Sequence, residues 1–229
     1  IVEVDCKSSL DNKLGDYYKW FGFFQCAKMG IKTVWREIQK YADRISGYRL
    51  HNGFCSVRDV SKAMKIPHRV ITDSNGEEFV GDMKKLSPDL IISYSAPQII
   101  KKDLLEIPKY GVINVHGSLL PDYRGCFPSF WYIYNKEKVG GATVHYMSAK
   151  IDDGDIIKQG SIDISDCKSM FQLMKKTKKL GGELMVQAIE DIENGNVSVM
   201  RNDTSNGRYF TWPTVEQARE FRKNGCKLI

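Results

Sequence analysis

Two near-continuous apolar runs, Asp89–Tyr94 and Gly111–His116, flank a short helical stretch at Lys102–Ile107. Strands apolar on both faces are buried on both, the mark of a parallel sheet whose crossovers are helices. The alternation continues on either side. Strands are expected at Ile1–Cys6, His68–Thr72, Ala142–Met147 and Ile156–Ile164. Helices are expected at Val57–Met64, Glu77–Leu86, Phe127–Tyr134 and Ser169–Asn194. The last has Asp163, Ser165 or Asp166 as a cap, and Gly181-Gly182 marks close packing. Gly15–Ile45 reads as two helices divided at Gly30, with its aromatic residues packing inward. The fold class is therefore α/β: a Rossmann-like, mostly parallel sheet with helices on both faces. Val197–Met200 and Arg208–Thr211 read as a hairpin and Val215 onward as a capped helix. The chain then divides into a main domain, 1–195, and a short C-terminal appendage, 196–229.

In such sheets ligands gather at the carboxyl ends of the strands. Asn114 and His116 sit at one such end, two residues apart and so on one face. Two loops are expected to converge on them if the sheet is parallel. One is Ser93–Ile99; the other, Lys150–Ile157, carries Asp152, Asp153 and Asp155 around Gly154. An amide, an imidazole and a carboxylate, with no serine or cysteine nucleophile at an elbow, suit acyl transfer to a nucleophile that the substrate brings. Asparagine and imidazolium can donate to a developing oxyanion. A carboxylate can orient the imidazole and help take the proton from an attacking amine. Singly, each feature has a plainer meaning. Asn-x-His occurs as a structural pair, and Asp-Asp-Gly-Asp as a surface turn or a divalent-cation loop.

Bulk properties narrow the class. The chain has 229 residues, 42% hydrophobic, enough for one large domain or one domain with an appendage. Its net charge of +6 comes with no block of like charges to read as a nucleic-acid arm, so it reads as a lysine-rich solvated surface with some pull on small anions. Six scattered cysteines form no CxxC pair and no metal-ligand spacing with the four histidines. No run is long enough to span a membrane, and no signal peptide is seen. The expectation is a reduced, cytoplasmic protein with no metal and no membrane partner.

The string Ile113-Asn-Val-His-Gly-Ser-Leu-Leu-Pro-Asp-Tyr-Arg-Gly125, followed by Ile151-Asp-Asp-Gly-Asp-Ile-Ile157, resembles the formyltransferases that use 10-formyltetrahydrofolate. These include methionyl-tRNA formyltransferase, glycinamide ribonucleotide transformylase and the nucleotide-sugar N-formyltransferases. The resemblance runs from about Asp89 to Ile164. It implies Asn114, His116 and Asp152 as the catalytic residues and 10-formyltetrahydrofolate as the formyl donor. It places the pterin under two loops, on Ala96, Pro97, Gln98, Ile99 and Ile100 and on Met147, Ser148, Lys150 and Ile151. Members of the family open with a strand and a helix ahead of the region matching Ile1, and this sequence shows no such unit.

The acceptor is read from what surrounds the motif. Only about 35 residues follow the long helix, too few for the barrel domain of the tRNA enzyme. The purine enzyme's motif reads His-Pro-Ser and Asp-Gly-Gly-Pro, unlike His116-Gly117-Ser118 and Asp152-Asp153-Gly154-Asp155. The tail Arg208–Ile229 resembles compact N-formyltransferases that act on nucleotide-linked amino sugars. The expected substrate set is Ser118, Arg124, Tyr209 and Trp212, with the aromatics stacking a base and Arg124 meeting phosphate. Equally, the aromatics could close the C-terminal core or a dimer interface, and Arg124 could pair with Asp122. Phe210 leans to the core, His145 is read as structural, and His51 and His68 as surface or core residues. A nucleotide amino-deoxysugar acceptor would feed a surface glycan such as O-antigen, and a homodimer through the tail would fit. A formyltetrahydrofolate hydrolase and a non-catalytic folate- or nucleotide-binding protein are the competing readings.

Overall fold

The computed structural model describes residues 1–5, 7–47 and 56–229; Cys6, His51 and Cys55 lie outside them. The chain forms two compact units, Ile1–Ser74 and Asn75–Ile229.

The first unit holds β1 (Val2–Val4), α1 (Lys7–Ile45), α2 (Val57–Met64) and β2 (Arg69–Ile71). β1 and β2 pair in parallel, with Val2 opposite Arg69. Ser56 caps α2 by accepting from the Asp59 N–H, and Arg44 Nε donates to the buried Asp59 carboxylate at 2.9 Å. His68 lies 3.1 Å from Glu3. The break in α1 falls at Gly22 (φ 75°, ψ 172°), not at Gly30, which stays helical. Only glycine enters that region without steric cost, so Gly22 is the hinge. Inward packing of the aromatics holds for Trp20 and Phe21; Phe24 is 81% exposed and Trp35 is exposed as well. Beyond Gly22 the helix runs on to Ile45, about 34 Å, too long for two three-residue strands and an eight-residue helix to cover.

The second unit holds α3 (Glu77–Leu86), β3 (Ile91–Tyr94), α4 (Lys102–Leu105), β4 (Val112–His116), β5 (Arg124–Gly125) and α5 (Pro128–Tyr134). It continues with β6 (Val139–Tyr146), β7 (Ile156–Asp163), α6 (Met170–Glu193), β8 (Tyr209–Phe210) and α7 (Val215–Lys223). Its main sheet has the order β3-β4-β6-β7. β3 and β4 are parallel; β6 runs antiparallel to both of its neighbours, so three of the four strands share a direction.

The faces of this sheet differ. Ile113 and Val115 of β4 and Ala142, Val144 and Tyr146 of β6 meet Leu184, Met185, Ala188 and Ile192 of α6. The close approach expected at the Gly181-Gly182 pair is made by Gly181 alone. A Cβ there would stand 2.5 Å from Val115 Cγ1, while Gly182 has nothing within 4 Å. The cap of α6 is Ser169, whose side chain accepts from the Gln172 N–H, rather than Asp163, Ser165 or Asp166. The opposite face of the sheet carries the alternate residues Asn114, His116, Thr143 and His145, which register opposite one another.

The expected hairpin in the tail does not form. Met200 bridges Ile156, and β8 pairs in parallel with the short β5. Each half finds a partner in the main body, because the residues between them bind its loops. Phe210 stacks between Tyr123 and Trp131, with centroids at 5.0 and 4.8 Å. Phe221 of α7 stacks on Phe130 at 4.6 Å. Residues 196–229 are thus built into the second unit.

Candidate active site

The polar face of the sheet converges on one carboxylate. His116 Nδ1 stands 3.5 Å from Asp152 Oδ2, and His145 Nε2 stands 3.7 Å from Asp152 Oδ1. Asn114 Nδ2 lies 3.3 Å from His145 Nε2. Asp152 Oδ2 also accepts the Gly125 N–H at 2.8 Å. All three side chains around Asp152 come from neighbouring positions of β4 and β6, set side by side by the antiparallel register.

The way Asp152 arrives differs from the sequence expectation. Because β6 is antiparallel, its loop begins at the amino end of β4, where Met147 N–H donates to the Val112 carbonyl at 2.8 Å. The loop then folds back over the polar face. Tyr146 N–H donates to Asp155 O, and a Cβ on Gly154 would lie 1.9 Å from the Tyr146 carbonyl oxygen. Only glycine permits that approach, which explains the Asp-Asp-Gly-Asp string. Asp152 itself adopts φ 50°.

Backbone carbonyls only accept, and this fixes the tautomers. His145 Nδ1 faces Tyr146 O at 2.7 Å, so Nδ1 carries a proton and the neutral ring offers Nε2 to the Asn114 amide. Burial holds the His145 pKa below its ordinary value and His116 adds to this, against opposing pulls from Asp152 and the Tyr146 carbonyl. His116 Nε2 faces Tyr123 O at 2.8 Å and is protonated there, leaving Nδ1 toward Asp152. Among the described residues, the second amide proton of Asn114 is left without a partner on this face.

The loop from Ser118 to Cys126 is a second wall. Arg208 makes a forked ion pair with Asp122 and lies 4.5 Å over the Tyr123 ring. Burial alone would raise the Asp122 pKa, but the Arg208 and Tyr123 bonds hold it below the usual carboxylate range. The Tyr123 hydroxyl is pushed up to about 12 by burial and by its bond to Glu137.

The Asp122 ion-pair partner is therefore Arg208, not Arg124. Arg124 donates to Thr204 O at 3.3 Å, lies 5.8 Å from the half-exposed Tyr209 ring, and keeps a buried Nε without a partner among the described residues. Ser118 was expected in the substrate set. It is fully buried, and its hydroxyl donates to Asp122 O at 2.9 Å. Trp212 packs on Phe127 at 4.5 Å.

Of the two loops read as a pterin site, one leaves the carboxyl end of β3. Ala96, Pro97 and Ile99 are exposed and Gln98 is half-buried, whereas the Ile100 side chain is in the core. Asn75 brackets this loop by donating to Ile99 O at 2.9 Å and accepting from Lys101 N–H at 2.7 Å. In the other loop Lys150 and Ile151 are exposed, and Met147 and Ser148 are half-buried. Ser148 Oγ accepts the Lys150 N–H at 3.2 Å. Exposed residues at both loops, with the amide, imidazole and carboxylate set on the polar face of the same sheet, are compatible with a flat folate ring.

His145 was missed by sequence reasoning. Strand alternation alone cannot tell a buried structural histidine from one that faces a carboxylate. The usable signal was parity: in an antiparallel pair, Thr143-x-His145 faces the same side as Asn114-x-His116.

The Formyl transferase family matches residues 54–189. A methionyl-tRNA formyltransferase from Clostridium tetani is 35% identical over 174 residues, which is 74% of this chain and 54% of that protein. A 4-N formyltransferase structure from Francisella tularensis is 28% identical with a TM-score of 0.55, covering 68% of this chain and 63% of that one. WlaRD, a sugar 3N-formyl transferase solved in the presence of dTDP and 5-N-formyl-THF, is 25% identical with a TM-score of 0.53, covering 66% and 52%. The chain spans about half the length of the curated relatives it matches. No helix among the described residues is long and apolar enough to cross a membrane. With the family match extending over more than half of its length, the chain belongs to the Formyl transferase family.

Proposed function

We propose that this protein is an N-formyltransferase that moves a formyl group from 10-formyltetrahydrofolate to the amine of a nucleotide-linked amino-deoxysugar. The observation that carries the reaction is Asp152 lying between His116 and His145, beside Asn114. When bound, 10-formyltetrahydrofolate supplies an activated formyl group. Ala96–Ile100 and Met147–Ile151 would hold its ring.

The acceptor's free amine attacks the formyl carbon, forming the new C–N bond. Asn114 donates its second amide proton to the oxygen on which negative charge builds. His116, fixed by Tyr123 O, stands on the same face beside Asp152. Asp152 takes the proton released by the amine, and that proton goes to the folate nitrogen as its bond to carbon breaks. His145, neutral, holds the Asn114 amide in the donating orientation.

The acceptor class is supported by Arg124. It has no carboxylate partner among the described residues, carries an unpaired Nε, and sits beside the half-exposed Tyr209 ring. That pair suits a phosphate next to a base. The similarity to sugar formyl transferases, one solved with dTDP, points the same way. Methionyl-tRNA is the second reading, favoured by the 35% identical relative. A cytoplasmic location and a role in making a surface glycan follow from the sugar reading.

The test is to follow release of tetrahydrofolate from 10-formyltetrahydrofolate with amino-sugar nucleotides, methionyl-tRNA and glycinamide ribonucleotide as acceptors. Turnover with an amino-sugar nucleotide alone is expected. Turnover only with methionyl-tRNA overturns the acceptor, and loss of formyl without any acceptor identifies a hydrolase. Folate binding with no turnover at all would leave a binding protein.

A further inference from the structure

Asp152 sits at φ 50°, in the left-handed region. A non-glycine residue stays there when its surroundings fix it. The fixing group comes from the tail. The Asn202 side-chain nitrogen donates to Asp152 O at 2.9 Å and to Gly154 O at 3.1 Å, across 50 and 48 residues of sequence. Two residues on, Thr204 Oγ1 donates to Asp153 Oδ1 at 2.8 Å. The turn that presents Asp152 is thus held on one side by the Tyr146 N–H, which donates to Asp155 O, and on the other by Asn202.

Asn202 is a poor choice for stability alone. It is 6% exposed, and its Oδ1 is buried with no hydrogen-bond partner among the described residues. A buried acceptor left unpaired costs about as much as a hydrogen bond gains, so half of this amide works against the other half. Leucine has nearly the same shape and carries neither group. What asparagine supplies and leucine does not is the pair of N–H donors aimed at the two carbonyls of the Asp152 turn.

We infer that Asn202 is a positioning residue for Asp152, through which the tail sets the carboxylate between His116 of β4, His145 of β6 and the Gly125 N–H of β5. This rests on reading Asp152 as the proton acceptor in formyl transfer. Removing the clamp lets the turn relax toward an ordinary backbone conformation. The carboxylate then moves from its place without any change in the residues around it. A displacement of about 1 Å in such a group costs up to about a hundredfold in rate.

The test compares the full chain with its Asn202→Leu variant by steady-state kinetics, thermal unfolding and NMR of the His116 ring at one fixed pH. The expected result is a kcat lower by tenfold to a hundredfold, in the range given by such displacements. KM for 10-formyltetrahydrofolate stays within about twofold, because the Asn202 amide bonds to Asp152 O and Gly154 O, outside Ala96–Ile100 and Met147–Ile151. Tm stays equal or rises, since the orphan acceptor is gone. The His116 ring resonances move as Asp152 leaves its place 3.5 Å from Nδ1. Asn202→Ser keeps one short donor and is expected to fall between the two; it serves alone if the leucine variant does not fold. Wild-type kcat with unmoved His116 resonances overturns the inference, as does a loss of activity that only follows a loss of Tm. The spectra need no substrate. If the wild type transfers no formyl group, the His116 shift still decides the clamp, and the failure belongs to the functional reading.

Discussion

The two faces of the β3-β4-β6-β7 sheet are built from the same two strands by alternation, yet they obey different rules. On one face Ile113, Val115, Ala142 and Val144 meet α6, and any side chain of the right volume would serve. On the other, Asn114, His116, Thr143 and His145 meet loops and one another, and each side chain has a specified hydrogen-bond partner. Leu120 N–H and Gln159 both donate to Thr143 Oγ1, which donates in turn to Ser118 O. A register slip of one residue would exchange the two faces, so the apolar face enforces the chemistry of the polar one. Substitutions on opposite faces should therefore separate stability from rate.

The largest separation is expected at Asp152. Asp152→Asn keeps the size and removes the charge between the two histidines. The rate of formyl transfer should drop about 10³-fold, within the range for general acid–base groups, while the unfolding midpoint hardly moves. Single-turnover kinetics with saturating donor checks this, and a drop of less than tenfold would show that the proton goes elsewhere. Next comes His145→Gln, which keeps an amide opposite Asn114 but at a different reach. A loss of about tenfold to a hundredfold is expected, seen in kcat rather than in KM for the donor. An unchanged kcat would return His145 to a purely structural role.

How much of this was legible in the chain follows the same division. Asn114 and His116 could be read because strand parity is exact and a polar pair is conspicuous in an apolar run. Asp152 could be found only through the resemblance of its loop. Its route over the face depends on the antiparallel entry of β6, which no local signal announced. The tail defeated sequence reasoning for a related reason. Val197–Met200 and Arg208–Thr211 look like a hairpin by local pattern, but Asn202, Thr204 and Arg208 spend their polar groups on Asp152, Asp153 and Asp122 instead. The helices fared better because caps and periodicity are local: α2 and α3 fall at their expected limits. Gly30 and Gly22 mark the boundary of that success. The sequence offers three glycines, Gly15, Gly22 and Gly30, and only the backbone angles say which one bends the helix.

The opposite face gives a smaller, complementary effect. Val144 is fully buried against α6, one residue from His145. Val144→Ala removes two methyl groups and leaves a cavity, worth about 2 kcal/mol of stability. Urea denaturation should show that loss, with kcat per folded molecule unchanged. If kcat fell as well, the sheet would be transmitting the repacking to His145, and the faces would not be independent.

The smallest effect is a pH dependence that belongs to one face alone. His145 is held below its ordinary pKa of 6.5 mainly by burial. As pH falls past 6.5 the unfolded chain takes up a proton at this position before the folded chain does. The unfolded state then binds more protons, so stability falls as pH falls, from the unfolded value down to the lowered folded one. Above 6.5 both states are neutral at this ring and the contribution is complete. One proton limits the slope to about 1.4 kcal/mol per pH unit. Urea midpoints at neutral pH and about one unit below 6.5 should differ by more in the wild type than in His145→Gln, which has nothing to protonate. Val144→Ala should lower both midpoints and leave their difference intact. A His145→Gln slope equal to that of the wild type would mean that the proton is taken up elsewhere. A steeper slope in Val144→Ala would mean that loosening the apolar face lets water reach the imidazole.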